Sequence, residues 1–413
     1  MKVTSGAAPS WRSPVLILIC GCALAAATFG PRAVLGLFTT PYTVERGFSL
    51  EMFSFAMAVQ NLLWGMGQPF AGGLADRFGT MRVLTAGLLA YAAGLALMAY
   101  ATDPITLSVG GGVLIGLGLS GCAFGLVLSA FSKLLPESKR GLAFGLGTAA
   151  GSFGQFLFAP LTSMLIRDIG WHSTLLVFAV MLLFLIPLTV VLATRPGEGS
   201  STSGARAEDE TFGRVLARAF AHRSYVLLVA GFFVCGFHIA FITIHLPKYL
   251  VEKGLDPAWG AWTLALIGLF NIAGSLGSGI IMNRLPKRYL LASIYFLRSI
   301  AIALFVLLPV TPVTALAFGA AIGFLWLSTV PPTSGLVALM FGTRWMGMLY
   351  GFVFFSHQVG SFVGLVLAGW THGLTGTYDL IWALGILLGI FAAIVHLPIR
   401  EQPAGTRAVP QPA

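Results

Sequence analysis

The chain reads as an all-α membrane protein with twelve transmembrane helices in two pseudo-symmetric six-helix halves, and three observations carry that reading. Its 413 residues are 57% hydrophobic and 9% charged, with a mean hydropathy of +0.89, whereas a soluble domain devotes about a quarter of its residues to charge. Apolar runs of roughly 20 residues, the helix length that crosses about 30 Å of hydrocarbon, recur along the chain. One long polar segment near the middle divides them into two sets.

Between charged or turn-rich breaks, the first six spans fall at residues 14–39, 50–71, 80–101, 105–132, 139–166 and 172–194. The second six fall at 223–250, 258–282, 287–309, 312–340, 346–371 and 378–398. The start of the first resembles a secretory leader, with Lys2 and Arg12 ahead of an apolar run that contains Ala25 to Ala27. Many further spans follow, so an uncleaved helix is expected. The 51 glycines and 21 prolines are compatible with lipid, where neighbouring helices re-satisfy freed backbone groups and small residues allow close packing. Cys20, Cys22, Cys122 and Cys235 all lie in apolar stretches, which argues against a disulfide framework or a CxxC metal site.

The organisation that follows is a cytoplasmic N-terminus 1–13, a six-helix half 14–194, a cytoplasmic linker 195–222, a second half 223–398 and a cytoplasmic tail 399–413. The linker contains RPGEGSSTSGARAEDE and is expected to be flexible, ending in a short amphipathic helix around Phe212 to Phe220. Basic residues set the orientation. Of the basic residues assigned to a side, only Arg46, Arg167, Lys248 and Lys253 fall opposite the termini, so both termini and the linker are expected in the cytoplasm. The net charge of +10 therefore reports topology in the inner membrane and not nucleic-acid binding.

The halves repeat at an offset of roughly 206 residues. Gly72, Asp76 and Arg77 map onto Gly279, Asn283 and Arg284, and Gly30, Arg32 and Pro41 onto Gly236, His238 and Pro247. Arg140, Gly145 and Gly154 have counterparts in Arg344, Gly351 and Gly360. Ordered matches at one offset indicate a duplicated six-helix unit.

The segment GGLADRFGTMR, between the second and third spans, resembles the signature loop of the major facilitator superfamily, G-x-L-x-D-R-x-G followed by basic residues. Gly72, Leu74, Asp76, Arg77 and Gly79 match; Arg82 arrives late, after Thr80 and Met81. The resemblance covers almost the whole chain and implies alternating access, with Gly72, Asp76, Arg77, Gly79 and Arg82 as a conformational gate. The residues themselves allow a plainer role for Arg77 and Arg82, as topogenic charges. Within the superfamily, the segments GPRAVLGLFTTPYTVERGFS and HIAFITIHLPKYLVEKGL are most similar to bacterial relatives of the monocarboxylate and oxalate/formate branch. That branch commonly carries an arginine late in the eighth helix, where this chain has Ser275, Leu276 and Gly277, so its substrates do not transfer directly. Gly147, Gly151 and Gly154 form only part of an antiporter glycine pattern, with Ser152 in place of its proline.

Charge inside the spans is the sharpest chemical signal, because an ionised side chain in hydrocarbon costs a few kcal/mol or more and persists for function. Arg32 in the first span and Arg298 in the ninth stand alone, with none of the 14 acidic residues in a span core. A guanidinium without a protein counter-ion offers a planar fork of donors to a carboxylate, phosphate or sulfonate. Arg32 is read as the substrate clamp and Arg298 as a second positive centre, against snorkelling or backbone bonding for the first and peripheral packing for the second. His238, at the repeat position of Arg32, is expected on the opposite wall. His245 lies two turns along a similar face, and either histidine could relay a proton. Gln155, Asn271, His357 and Gln358 complete the candidate substrate-binding set; Gln60, Asn61 and Gln68 are further polar intrusions, for all of which interhelical hydrogen bonding is the alternative.

The functional expectation is a secondary transporter for a small, monocarboxylate-like organic anion, coupled to protons or to anion exchange, acting as a monomer in the lipid bilayer. An efflux transporter for amphiphilic drugs or metabolites is the alternative, and a transport-like membrane sensor is the alternative of another class. The glycines of LSVGGGVLIGLGLSG in the fourth span have no preceding strand, so they are read as helix packing and not as a nucleotide fingerprint. No cofactor is expected, and no enzyme, since the spans hold neither clustered carboxylates nor a nucleophile beside a base.

Overall fold

The computed structural model describes residues 12–194, 212–342 and 346–404. Ten of its segments are long and apolar enough to cross a membrane. One of them, Ser138–Val191, turns back at Gly170, whose φ of 82° is open to glycine without strain, and so supplies the fifth and sixth spans. The second span, Leu50–Phe78, completes the twelve; its polar Gln60, Asn61 and Gln68 set it apart from the apolar set. The others are the first (Pro14–Val44), third (Thr80–Ala99) and fourth (Pro104–Leu134), then the seventh (Arg223–Glu252), eighth (Pro257–Ile281) and ninth (Lys287–Leu307). The tenth (Pro312–Phe341), eleventh (Met346–Thr375) and twelfth (Asp379–His396) follow. The expected linker helix is present as Phe212–Ala221, while the polar run before it lies outside the described residues, as do Arg344 and much of both termini.

Helix pairing shows the duplication directly. In the first half the first span packs on the fifth, the second on the fourth and the third on the sixth; in the second half the seventh packs on the eleventh, the eighth on the tenth and the ninth on the twelfth. The repeat-matched glycines sit at equivalent crossings. Gly154 lies against the main chain of Ala26, and Gly360 against that of Phe233. The fourth-span glycines also serve packing, with Gly118 meeting the backbone of Tyr91 and Gly112 that of Ala56.

The halves meet along two seams, second span on eleventh and fifth on eighth. On the face opposite the termini the halves also close on each other between the first and seventh spans. Gly36 lies so close to the seventh-span main chain that a Cβ there would come within 2.9 Å of the Ile244 Cα, and the Thr39 hydroxyl donates to the Ile244 carbonyl at 3.2 Å. Toward the face that carries the termini, Gly72, Gly145, Gly279 and Gly351 have nothing within 4 Å of a built Cβ. The result is a wedge, closed at one face and open at the other.

The eleventh span contains its own control for this packing. Gly360→Ala is expected to lower the melting temperature in detergent by the equivalent of about 1–3 kcal/mol, because its methyl group would collide with the Phe233 carbonyl. Gly351→Ala should leave it unchanged; equal effects of the two would contradict the packing described.

Candidate functional site

Arg32 stands in the last turn of Pro14–Ala33, one residue after Pro31, where a cation faces the free carbonyl end of a helix. It is 7% exposed. One guanidinium nitrogen donates to the Asn61 Oδ1 at 2.6 Å, and Asn61 is itself held by donation to the Met57 carbonyl at 2.8 Å. The guanidinium carbon lies 5.0 Å from the centre of the Trp64 ring and 5.8 Å from that of Phe29. These aromatic faces stabilise the cation without neutralising it. Among the described residues Arg32 has no carboxylate partner.

The surroundings of Arg32 hold spare donors. The Trp64 indole N–H and the Tyr91 hydroxyl are buried with no hydrogen-bond partner, and Tyr91 lies within electrostatic range of the guanidinium. Across the seam, Phe354 meets Trp64 at 5.6 Å between ring centres, and Gln358 lies against Gly65 with its amide N–H₂ unpartnered. His357 stacks on Phe354 and its Nδ1 meets the Gln358 Oε1 at 3.2 Å. The first, second, third and eleventh spans thus bring Arg32, Asn61, Trp64, Tyr91, Phe354 and Gln358 together at the closed end of the wedge.

Gln155 and Asn271 are buried at other points. Gln155 donates to the Leu264 carbonyl at 3.3 Å and ties the fifth span to the eighth. Asn271 accepts from the Leu327 N–H at 3.2 Å, where the tenth span breaks between Trp326 and Val330 ahead of Pro331 and Pro332. Each leaves one amide atom unpartnered.

Three further expected residues, Arg298, His238 and His245, also lie elsewhere. Arg298 is fully buried but belongs to that same break: it donates to the carbonyls of Leu325 at 2.7 Å and Trp326 at 3.3 Å and contacts the Cys235 sulfur at 3.4 Å. Carbonyls freed at the end of a helix supply its negative partner, so it is not a free positive centre of the wedge. His238 does not face Arg32. Its Nε2 lies 2.7 Å from the Gly385 carbonyl, and the ring packs against Gly385 and Gly389 of the twelfth span. His245 belongs to the closed face, bridging Ser54 and Tyr378.

The signature loop is bonded within the first half. Asp76 pairs with Lys133 of the fourth span, Arg77 lies over the Phe78 ring at 5.2 Å, and Thr80 exchanges hydrogen bonds with Thr194 at 3.1 Å. Gly79, at φ 88°, makes the turn; Gly72 is half-buried and Arg82 exposed. A groove of about 610 Å³ between the second and fourth spans, lined by Met52, Phe55, Ile105 and Val109, is apolar and separate from these groups.

The two arginines predict opposite stability effects. Arg298→Leu strands two carbonyls and is expected to lower the melting temperature, whereas Arg32→Leu removes a desolvated cation and should leave it unchanged or raise it. Equal losses in thermal unfolding of the purified variants would refute the distinction.

Comparison with known proteins agrees with this architecture. The family model described as Major Facilitator Superfamily matches residues 16–365. The chain is 26% identical over 354 residues to the uncharacterized MFS-type transporter YcxA of Bacillus subtilis (strain 168), covering 84% of this chain and 85% of that protein. It is 24% identical over 382 residues to monocarboxylate transporter 13 of Rattus norvegicus, covering 90% and 86%. Among solved structures it resembles a bacterial homolog of the human lysosomal transporter Spinster in an inward-facing, unoccupied conformation, with a TM-score of 0.76 at 13% identity over 94% of this chain and 97% of that one. A D-xylose–proton symporter gives a TM-score of 0.73 at 14% identity over 95% and 99%. With a twelve-span duplicated fold, a matching signature loop and a family model that spans most of its length, the chain belongs to the Major Facilitator Superfamily of membrane transporters.

Proposed function

We propose that this transporter carries a small organic anion across the cytoplasmic membrane by alternating access, with Arg32 as the clamp. The observation that supports this most is a buried guanidinium with one neutral hydrogen-bond partner, set at the closed end of a wedge among unpartnered donors on Trp64, Tyr91 and Gln358. A donor-rich, acceptor-poor cluster favours a ligand that brings negative charge and acceptors with it. Phe29, Trp64 and Phe354 supply apolar surface for a short carbon body. The similarity to monocarboxylate transporters, which lies at low identity, is consistent with a single carboxylate.

Two access states follow from the wedge. With the face opposite the termini sealed, an anion would enter or leave on the terminal face, which the distribution of basic residues assigns to the cytoplasm. Asp76 and the residues around it would then re-pair as the halves rock and the open end closes. Coupling to a proton or to a second anion drives the cycle, with His245 better placed than His238 because it bridges the halves.

Uptake of labelled monocarboxylates into proteoliposomes tests the clamp. Arg32→Gln is expected to lower transport of the responsive anion at least about a hundredfold, matching the loss of a charge-assisted contact of roughly 3 kcal/mol, while Arg298→Lys retains substrate affinity. Unchanged transport by Arg32→Gln would remove the anion reading. Robust export of cationic amphiphiles, insensitive to Arg32, would favour drug efflux instead.

A further inference from the structure

The sealed face contains a hydrogen-bond chain whose direction can be worked out atom by atom. Ser54, on the second span, donates its hydroxyl to the Leu50 carbonyl at 2.6 Å. With that proton committed, its oxygen can only accept from the His245 Nε2, which lies 3.3 Å away. His245 therefore carries its proton on Nε2, and its Nδ1 accepts from the Tyr378 hydroxyl at 3.2 Å. Donation runs one way, from Tyr378 to His245 to Ser54 to Leu50, and the link from His245 to Ser54 crosses between the halves. Ser54 and His245 are fully buried and Tyr378 is 2% exposed, so water cannot substitute for a lost partner.

We infer that His245 is a proton-binding site that latches the sealed face: neutral, it holds the halves together, and protonated, it releases them. An imidazolium has N–H groups at both ring nitrogens, so Nδ1 would stop accepting and the Tyr378 hydroxyl would have to turn and accept from it, leaving its own proton unpartnered in a buried site that only opening brings to water. It would also place a positive charge in a fully buried site whose nearest acid on the same span is already paired. On its own span lie Lys248, Tyr249 and Glu252; from the eleventh comes His372, from the start of the twelfth Tyr378 and Asp379, and from the second Glu51. On the first span, Tyr42 is engaged by the Met98 carbonyl and Glu45 by the Trp171 indole. Glu252, the nearest acid on the seventh span, is occupied by Lys248 at 3.0 Å and His372 at 3.1 Å. His372 in turn packs on the Tyr378 ring at 4.4 Å between centres.

This inference rests on the transporter reading, but its test uses no anion. Spin labels at Ile105 and Val313, at the sealed-face starts of the fourth and tenth spans, report the separation of the halves in lipid nanodiscs when the four native cysteines are replaced. Lowering the pH from about 7.5 to about 5.5 is expected to raise the population with long separation roughly threefold or more. His245→Gln keeps an amide donor for Ser54 but cannot take a proton, so its distances should not change with pH. Tyr378→Phe removes the donor to Nδ1 and should raise the open population already at about pH 7.5. The latch is overturned if the wild type does not respond to pH, if His245→Gln responds as the wild type does, or if Tyr378→Phe leaves the distribution unchanged. Those outcomes leave the Arg32 clamp standing, because uptake measures it separately.

Discussion

A guanidinium in hydrocarbon must find acceptors, because neither water nor lipid tails supply them. Among the described residues two arginines are fully or almost fully buried; they solve that problem differently, and their roles follow from the solutions. Arg298 has the carbonyls of a broken helix at 2.7 and 3.3 Å and is a structural tie. Arg32 has one amide oxygen and two aromatic faces, which lower the cost of the charge without cancelling it. What it lacks is what a ligand can bring. The same reasoning applies to the N–H groups of Trp64 and Gln358, which have no protein acceptor and could be satisfied by one that a ligand brings.

Rocking of the two halves needs contacts that are strong in one state and yet separable. On the sealed face they are of two kinds. Close backbone approach at Gly36 contributes dispersion and shape but no chemistry that could respond to a signal. The Ser54 to His245 link is a single hydrogen bond between neutral groups, worth about 1 kcal/mol net, and so is easily biased. A seam held by an apolar core would be harder to open than one with a few directional contacts. The open end carries small residues with open space beside them, Gly72, Gly145, Gly279 and Gly351, on surfaces that the other access state would have to bring together.

Much of the fold was legible because the lipid imposes a length and a composition on every span. The polar intrusion of Asn61, the duplication and the helix Phe212–Ala221 could be read the same way. Side-chain direction could not. His238 matches Arg32 in register, yet it points at Gly385 because two twelfth-span glycines make room for an imidazole there. The partners of Arg298 were hidden because they are backbone carbonyls, which no residue type announces; the adjacent Pro331 and Pro332 were the only local sign that the tenth span would break. Trp64 and Tyr91 carried no signal at all in a chain with 12% aromatic residues, and only their unsatisfied polar atoms beside Arg32 single them out.

The duplication also explains how one chain came to keep two arginines with different duties. At an offset of roughly 207 residues, Tyr91 of the third span corresponds to Arg298 of the ninth, just as Arg32 of the first corresponds to His238 of the seventh. Each half therefore has one cation at this pair of positions, but on exchanged helices. In the first half the charge sits on the inner helix beside the seam, with a tyrosine behind it. In the second half the charge has moved to the outer helix, where it braces the broken tenth span, and the inner position holds a histidine bonded to backbone. The pathway is therefore asymmetric in charge although the scaffold around it is symmetric. A site made from one cationic wall and one neutral wall can bind an anion firmly in the first half while the second half moves past it, which is the division of labour that a rocking carrier requires.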